Sequence, residues 1–293
     1  MSPSPNAEWY EPAPAKINLA LHIVGQRSNG YHELESLCVF TQLCDELTVQ
    51  ASEKDELVLT GPFAAGLRGE RSNIVLKALA LFRQKFPDSL PSGLKIKLIK
   101  ALPVAAGIGG GSADAAAMLR LANRLSGLNL TVNDLKEIAL ELGADVPMCL
   151  LSRTAFVDGV GEHIEALPEF PTLQLVLANP GKPVSTADIF RKLREKQNPP
   201  LKRDAADFGH ITAISMWLEG TRNDLQKPAI EYLPEIADMM ADLGEQKGCL
   251  LSRMSGSGAT IFGVFGSSAE AMLAAQSFRK NWPHAWVAQS ATL

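Results

Sequence analysis

From residue 16 to residue 23 the chain alternates. Ile17, Leu19, Leu21 and Ile23 fall on one side, and Lys16, Asn18, Ala20 and His22 on the other. Successive side chains of a strand point to opposite faces, so a period of two predicts a half-buried strand. Arg27-Ser28-Asn29-Gly30 reads as a turn, and residues 33–40 as the returning strand of a hairpin. Residues 46–51, 57–60 and 94–99 are predicted strands. Over 73–86, Ile74, Ala78, Leu81 and Phe82 recur at helical spacing. A glycine-rich stretch, residues 102–112, leads into an alanine- and leucine-rich helix ending near residue 125, and 131–142 is a second helix. Residues 155–164 read as a hairpin turning at Asp158-Gly159 or at Gly161.

Past Pro168 and Pro171 the pattern restarts with a strand over 173–178. Residues 196–207 are charged, carry Pro199-Pro200 and are predicted to be an exposed loop. Helices over 211–218 and 230–243 follow. Residues 249–265 read as strand, Ser/Gly loop and strand, with a last helix over 269–282 and a last strand over 285–289. Most strand neighbours are hairpin-like, so the expected class is α+β, in two lobes spanning 1–170 and 171–293.

Composition narrows the function classes. With 293 residues, 46% hydrophobic and 20% charged, the chain can bury a sizeable core as one large domain or two. A formal charge of -4 gives no reason to expect nucleic acid or an anionic membrane, which demand concentrated Lys and Arg. Cys38, Cys44, Cys149 and Cys249 form no CxxC pair, and the histidines do not fall at ligand spacing with them. These are expected to be reduced thiols, with no zinc. No apolar run approaches the ~18 residues of a membrane span. The polar, proline-rich start has neither the basic end nor the apolar centre of a secretion signal. The expectation is a cytoplasmic protein.

The candidate chemistry lies in the glycine-rich turn. Gly107, Gly109, Gly110 and Gly111 sit between a predicted strand and a predicted helix, with Ser112 at the expected N-cap. Glycine lets backbone N–H groups approach a ligand without Cβ interference, and a helix N-terminus adds unpaired donors and a positive dipole end. That combination predicts a polyphosphate cradle rather than a flexible connector. Gly111-Ser112-Ala113 lacks the lysine of a Walker A loop, and the Rossmann pattern fails at Ser112. The HRD element of protein kinases is absent.

The segment from Pro103 to Ala113, PVAAGIGGGSA, resembles the phosphate loop of the GHMP small-molecule kinases. Two more motifs of that family match in order: Pro14-Ala15-Lys16-Ile17-Asn18-Leu19 near the start, and Ser255-Gly256-Ser257-Gly258-Ala259 as a late glycine loop. Asn29-Gly30-Tyr31-His32-Glu33, Gly143-Ala144-Asp145-Val146-Pro147 and Asn223-Asp224-Leu225 are similar to one branch of the family. That branch phosphorylates the 2-hydroxyl of a methylerythritol carried on cytidine diphosphate, in the non-mevalonate route to isoprenoid precursors. The resemblance implies a ribosomal-S5-like N-terminal lobe, a ferredoxin-like C-terminal lobe, ATP as co-substrate, Mg²⁺, and a small-molecule partner. A monomer or weak homodimer is expected.

By the same resemblance, Pro103, Val104, Ala105, Ala106, Gly107, Ile108, Gly109, Gly110, Gly111, Ser112 and Ala113 would bind ATP. Asp145, which its position before Val146-Pro147 alone would make a helix N-cap, matches the catalytic aspartate that accepts the hydroxyl proton. Lys16, on pattern alone a solvated strand lysine, would be its cationic partner. Asn18 shares the face of Lys16 and would reach the same ligand. Tyr31 and His32 read equally as packing plugs or as contacts to the cytidine base, with Phe190 as a second stacking face and Thr186 one helical turn before it. Lys100 reads equally as a phosphate contact or a solvated lysine. Gly256, Ser257 and Gly258 would line the substrate site. No metal ligand is assigned, Asp114 included. Two other functions stay open: a GHMP kinase acting on homoserine or mevalonate, and a non-catalytic nucleotide-binding protein.

Overall fold

The structure, a computed structural model, describes residues 7–67, 73–203 and 208–293. The order of elements is β1 (Trp9–Gln26), β2 (His32–Ser52), β3 (Glu56–Thr60), a short 3₁₀ helix (Ala64–Leu67), α1 (Ile74–Lys85), β4 (Gly93–Ile99), α2 (Gly110–Ser126), α3 (Val132–Leu142), α4 (Val146–Leu151), β5 (Ala155–Gly159) and β6 (His163–Ala166). It continues through β7 (Gln174–Asn179), α5 (Thr186–Lys192), α6 (Ile211–Glu219), α7 (Gln226–Tyr232), α8 (Glu235–Glu245), β8 (Cys249–Met254), β9 (Ile261–Phe265), α9 (Ser268–Asn281) and β10 (Trp286–Ala291). The mixture of helices with antiparallel and parallel strands is the expected α+β class.

Two compact units emerge, and neither is a continuous half of the chain. One comprises residues 1–15, 43–104 and 109–152, the other 16–42, 105–108 and 153–293. Strands β1 and β2 are long enough to contribute residues to both units. In the first unit the end of β2 pairs antiparallel with β4, and β3 pairs parallel with β4. Helices α1, α2, α3 and α4 pack on one another. Helix α2 is buried along Ala113, Ala115, Ala116, Ala117, Met118 and Leu119. Its alanines let neighbouring helices approach closely, which is why a helix so poor in large side chains is still core.

In the second unit the start of β2 pairs with β5, which turns into β6, and β10-β7-β9-β8 form a four-stranded antiparallel sheet. Helices α8 and α9 cover that sheet. Val176, Ile189, Met239, Leu243, Phe265 and Phe278 fill the core between them.

The local chemistry explains most boundaries. Asn73 caps α1 by accepting from Val75 N–H at 2.9 Å, and Thr131 with Asp134 forms a capping box on α3. Several elements depart from expectation. Residues 33–40 and 46–51 belong to a single strand, β2, which runs on through Gln42 and Asp45 where they interrupt the hydrophobic pattern. Residues 230–243 are not one helix: Pro234 cannot continue α7 and instead stands at the N-cap of α8. Helices α4 and α5 are too short for periodicity to show. Of the predicted loop at 196–207, residues 204–207 lie outside the described residues, and Leu201 is buried rather than exposed.

The strand at 16–23 is the largest departure. It is buried on both faces, so Lys16, Asn18 and His22 are all nearly inaccessible, and the solvated reading of Lys16 does not hold. A chain buries a polar strand face only when hydrogen bonds or charge offset its desolvation. His22 meets the condition with Pro199 O at 3.2 Å and Arg222 N–H at 3.2 Å.

Candidate active site

Within the second unit, three sequence motifs come together through their backbones. Lys16 N–H donates to Ile108 O at 2.9 Å, and Thr260 N–H donates to Ala106 O at 3.1 Å. Ser255 Oγ donates to Gly107 O at 3.1 Å and accepts from Asn18 N–H at 3.1 Å. The strand carrying Lys16 and Asn18, the middle of the glycine-rich loop and the late glycine loop are thereby stitched into one floor. Gly107 has a φ of 73°, and a Cβ there would lie 2.6 Å from Gly258 O, so only glycine permits this approach. Asn223 holds the late loop from behind, its Nδ2 donating to Met254 O and Gly256 O at 2.8 Å each. Arg253 is buried with no carboxylate partner among the described residues, and donates to Leu19 O at 2.8 Å and to Leu218 O at 2.9 Å. Burial lowers its pKa to about 10, which still leaves it charged.

Helix α5 carries the rest of this unit's candidates. Thr186 Oγ1 lies 2.8 Å from Ser257 Oγ. One turn later Phe190 faces His32, with ring centroids 5.1 Å apart and planes inclined at 30°. Phe190 also borders the core of the unit. Burial, then Lys196, lowers the His32 pKa, so the ring is neutral near pH 7. Tyr31 is 62% exposed, which removes the reading of it as a packing plug. Two buried polar atoms here have no protein partner: His32 Nε2 and Asn18 Oδ1. Orphans of this kind cost free energy unless a ligand satisfies them.

The first unit holds both ends of the glycine-rich loop, with Pro103 and Val104 on the way in and Gly109 to Ala113 on the way out. Helix α2 starts one turn earlier than expected. Its N-cap is Gly109, at φ 67° and ψ 16°, so Ser112 sits inside the first turn and is not the cap. A Cβ at Gly111 would meet nothing within 4 Å. Open space over the free N–H groups of a helix start suits a phosphate group, so the residues present fit ATP at this place.

The solvated reading of Lys100 does not hold. Its ammonium is buried and bound by the Asp45 carboxylate and by Asp114 Oδ2, the latter at 2.7 Å. Asp45 Oδ1 also accepts Ala101 N–H at 2.6 Å and Leu102 N–H at 2.9 Å. The cluster therefore ties the entry of the loop to the first turns of α2. Burial opposes the charge on Lys100, but Asp114 and Asp45 outweigh it and raise its pKa. Two carboxylates against one ammonium leave an excess negative charge. Burial raises Asp114 to about 7, with Lys100 pulling the other way and Asp45 reinforcing the rise. Asp145 stands at the N-cap of α4, as its position suggests, yet in helical conformation and with no side-chain cap bond. Among the described residues no cluster of three His, Cys, Asp or Glu side chains could hold a metal ion.

Sequence reasoning missed Ser36, Asp45, Asp114, Asn223 and Ser255 as parts of this architecture. For Asn223 and Ser255 the motifs were visible, but not that they brace the loop. Ser36 lies within a predicted strand and Asp45 between two predicted strands, and nothing local marks either as a partner of distant residues.

The sequence profile "GHMP kinases N terminal domain" matches residues 73–153, and "GHMP kinases C terminal" matches 191–284. The chain belongs to the GHMP kinase family. It is an ATP-dependent kinase with the GHMP kinase fold. The 4-diphosphocytidyl-2-C-methyl-D-erythritol kinase of Rhizobium etli is 46% identical over 286 residues, covering 97% of this chain and 94% of the relative. Its namesake in Rhizobium leguminosarum bv. trifolii is 48% identical over 274 residues, covering 93% and 91%. A crystal structure of 4-(cytidine 5'-diphospho)-2C-methyl-D-erythritol kinase superimposes with a TM-score of 0.79 at 32% identity, covering 97% of this chain and all of that one. Among the described residues, no helix of this kinase is long and apolar enough to cross a membrane.

Proposed function

We propose that this kinase transfers the γ-phosphoryl group of ATP to the 2-hydroxyl of 4-diphosphocytidyl-2-C-methyl-D-erythritol, in the non-mevalonate route to isoprenoid precursors. The relatives named for that substrate support the reading across more than 90% of the chain. The observation that carries it is the His32–Phe190 ring pair with a buried, unpartnered His32 Nε2. A flat base with a polar edge would stack on such rings and satisfy that nitrogen, whereas homoserine and mevalonate have no base to offer.

In this reading the N–H groups at Gly109 to Ser112 hold the ATP phosphates at the start of α2. Asp145 accepts the proton of the 2-hydroxyl as its oxygen bonds to the γ-phosphorus and the bond to the leaving ADP oxygen breaks. Lys16 would supply a cation that favours the developing alkoxide. Thr186, Ser257 and the glycines Gly256 and Gly258 line the path of the alcohol, and Tyr31 borders the base. Mg²⁺ would neutralise phosphate charge, held mainly by ATP oxygens and water. The sequential lobes 1–170 and 171–293, a cytoplasmic location and a monomeric or weakly dimeric state complete the proposal.

The test is a panel of alcohols with ATP and Mg²⁺, read by ADP release. Turnover is expected on the cytidyl conjugate. Turnover confined to homoserine or mevalonate, or none on any alcohol, would overturn the assignment.

A further inference from the structure

The orphan Asn18 Oδ1 is oriented by a specific set of neighbours. Asn18 and Ala20 are two residues apart on β1, and Ser36 and Cys38 two apart on β2, with which β1 pairs. Side chains at such spacing share a face, so the four residues form one cross-strand patch. All are buried. Ser36 Oγ lies 2.6 Å from Ala20 O, and Asn18 Nδ2 lies 2.8 Å from Ser36 Oγ and 3.1 Å from Cys38 Sγ.

The proton count decides which way the amide points. A carbonyl oxygen only accepts, so the single hydroxyl proton of Ser36 is committed to Ala20. Ser36 then has only lone pairs to offer Asn18, and must receive an N–H. Nδ2 therefore faces Ser36 and Cys38, and Oδ1 faces the opposite way. On that side a Cβ at Gly256 would lie 3.3 Å from Oδ1, so the oxygen looks toward the late glycine loop. It has no protein donor there. A buried acceptor left open toward a substrate-lining loop asks for a hydroxyl donor.

We propose that Ser36 is a positioning residue, whose hydroxyl locks the Asn18 carboxamide so that Oδ1 accepts a hydrogen bond from a hydroxyl group of the acceptor polyol. This rests on the reading of the site as a polyol kinase. In Ser36→Ala the amide loses its orienting acceptor and can turn, presenting N–H where an acceptor is needed. Ser36→Thr keeps the hydroxyl and the lock.

The experiment is steady-state kinetics of the full-length enzyme with the cytidyl alcohol and ATP, for wild type, Ser36→Ala, Ser36→Thr, Asn18→Ala and the double variant Ser36→Ala/Asn18→Ala. Ser36→Ala is expected to raise KM for the alcohol by about 3- to 10-fold, the worth of one neutral hydrogen bond, with KM for ATP unchanged. Ser36→Thr should restore the wild-type value, and the double variant should be no worse than Asn18→Ala, since the lock acts only through Asn18. Equal loss for both substrates, or additive losses in the double variant, would overturn the proposal. Should Ser36→Ala fail to fold, Asn18→Asp replaces the donor nitrogen with an acceptor oxygen against Ser36; an unchanged alcohol KM in that variant would also overturn it. If wild type does not turn over this alcohol, it is the substrate assignment that fails.

Discussion

Replacing Lys100 by Met would remove the one cation in a buried cluster and leave its two carboxylates facing each other. Side-chain exposure is 3% for Lys100, 0% for Asp45 and 2% for Asp114, so water cannot take the place of the ammonium. Breaking a buried ion pair by removing one partner costs about 3–5 kcal/mol, a large part of the roughly 5–15 kcal/mol that holds a domain folded. At about 2–4 °C per kcal/mol, the melting temperature should fall by roughly 6–20 °C. The deficit should depend on pH, and its sign follows from Asp114. Its folded pKa is already raised from 3.8 to about 7. An acid raised on folding contributes stability below its unfolded pKa that is lost as pH rises through the folded value. Without Lys100, which pulls that pKa down, the folded value climbs further and the loss reaches to higher pH. The variant's deficit relative to wild type should therefore grow from pH 5 to pH 8. Lys100→Met/Asp114→Asn, which removes the excess charge, should recover part of it. Thermal and urea unfolding at several pH values measure this. A deficit below about 1 kcal/mol, or one independent of pH, would refute the view of Lys100 as the buried counterion that ties the loop entry to α2.

Asp145→Asn should lower kcat by roughly 10²–10⁴-fold with ATP affinity nearly unchanged, because the lost group acts on the alcohol. Single-turnover phosphoryl transfer checks it, and a fall of less than threefold would reject Asp145 as the base. Phe190→Ala should weaken binding of the cytidyl alcohol by about 10- to 100-fold, the worth of one stacked base, and leave ATP binding alone. Titration of both ligands into the same folded variant decides this. Equal losses would mean that Phe190 acts only through the core it borders.

Periodicity and glycine chemistry settled much of this protein before any coordinates. The period of two at 16–23, the helical spacing at 73–86 and the glycine run before α2 depend on residues close in sequence, so each could be read locally. The three ordered motifs were legible for the same reason, and they carried the family. Tertiary structure alone decided what those residues meet. It buried Lys16, Asn18 and His22 on a face that alternation marks as polar, since both faces of β1 are closed to solvent there. It brought Lys100 to Asp45, 55 residues away, and made an ion cluster of a lysine that reads equally as solvated or as a phosphate contact. It placed His32 against Phe190, and it fixed which end of the Asn18 amide faces the late glycine loop through a single serine proton. Contacts of this range depend on the path of the backbone between distant residues, which no local pattern specifies. The sequence determined the chemical groups and their elements; the fold determined which of them are dry, which are paired, and which buried atoms are left open for a ligand.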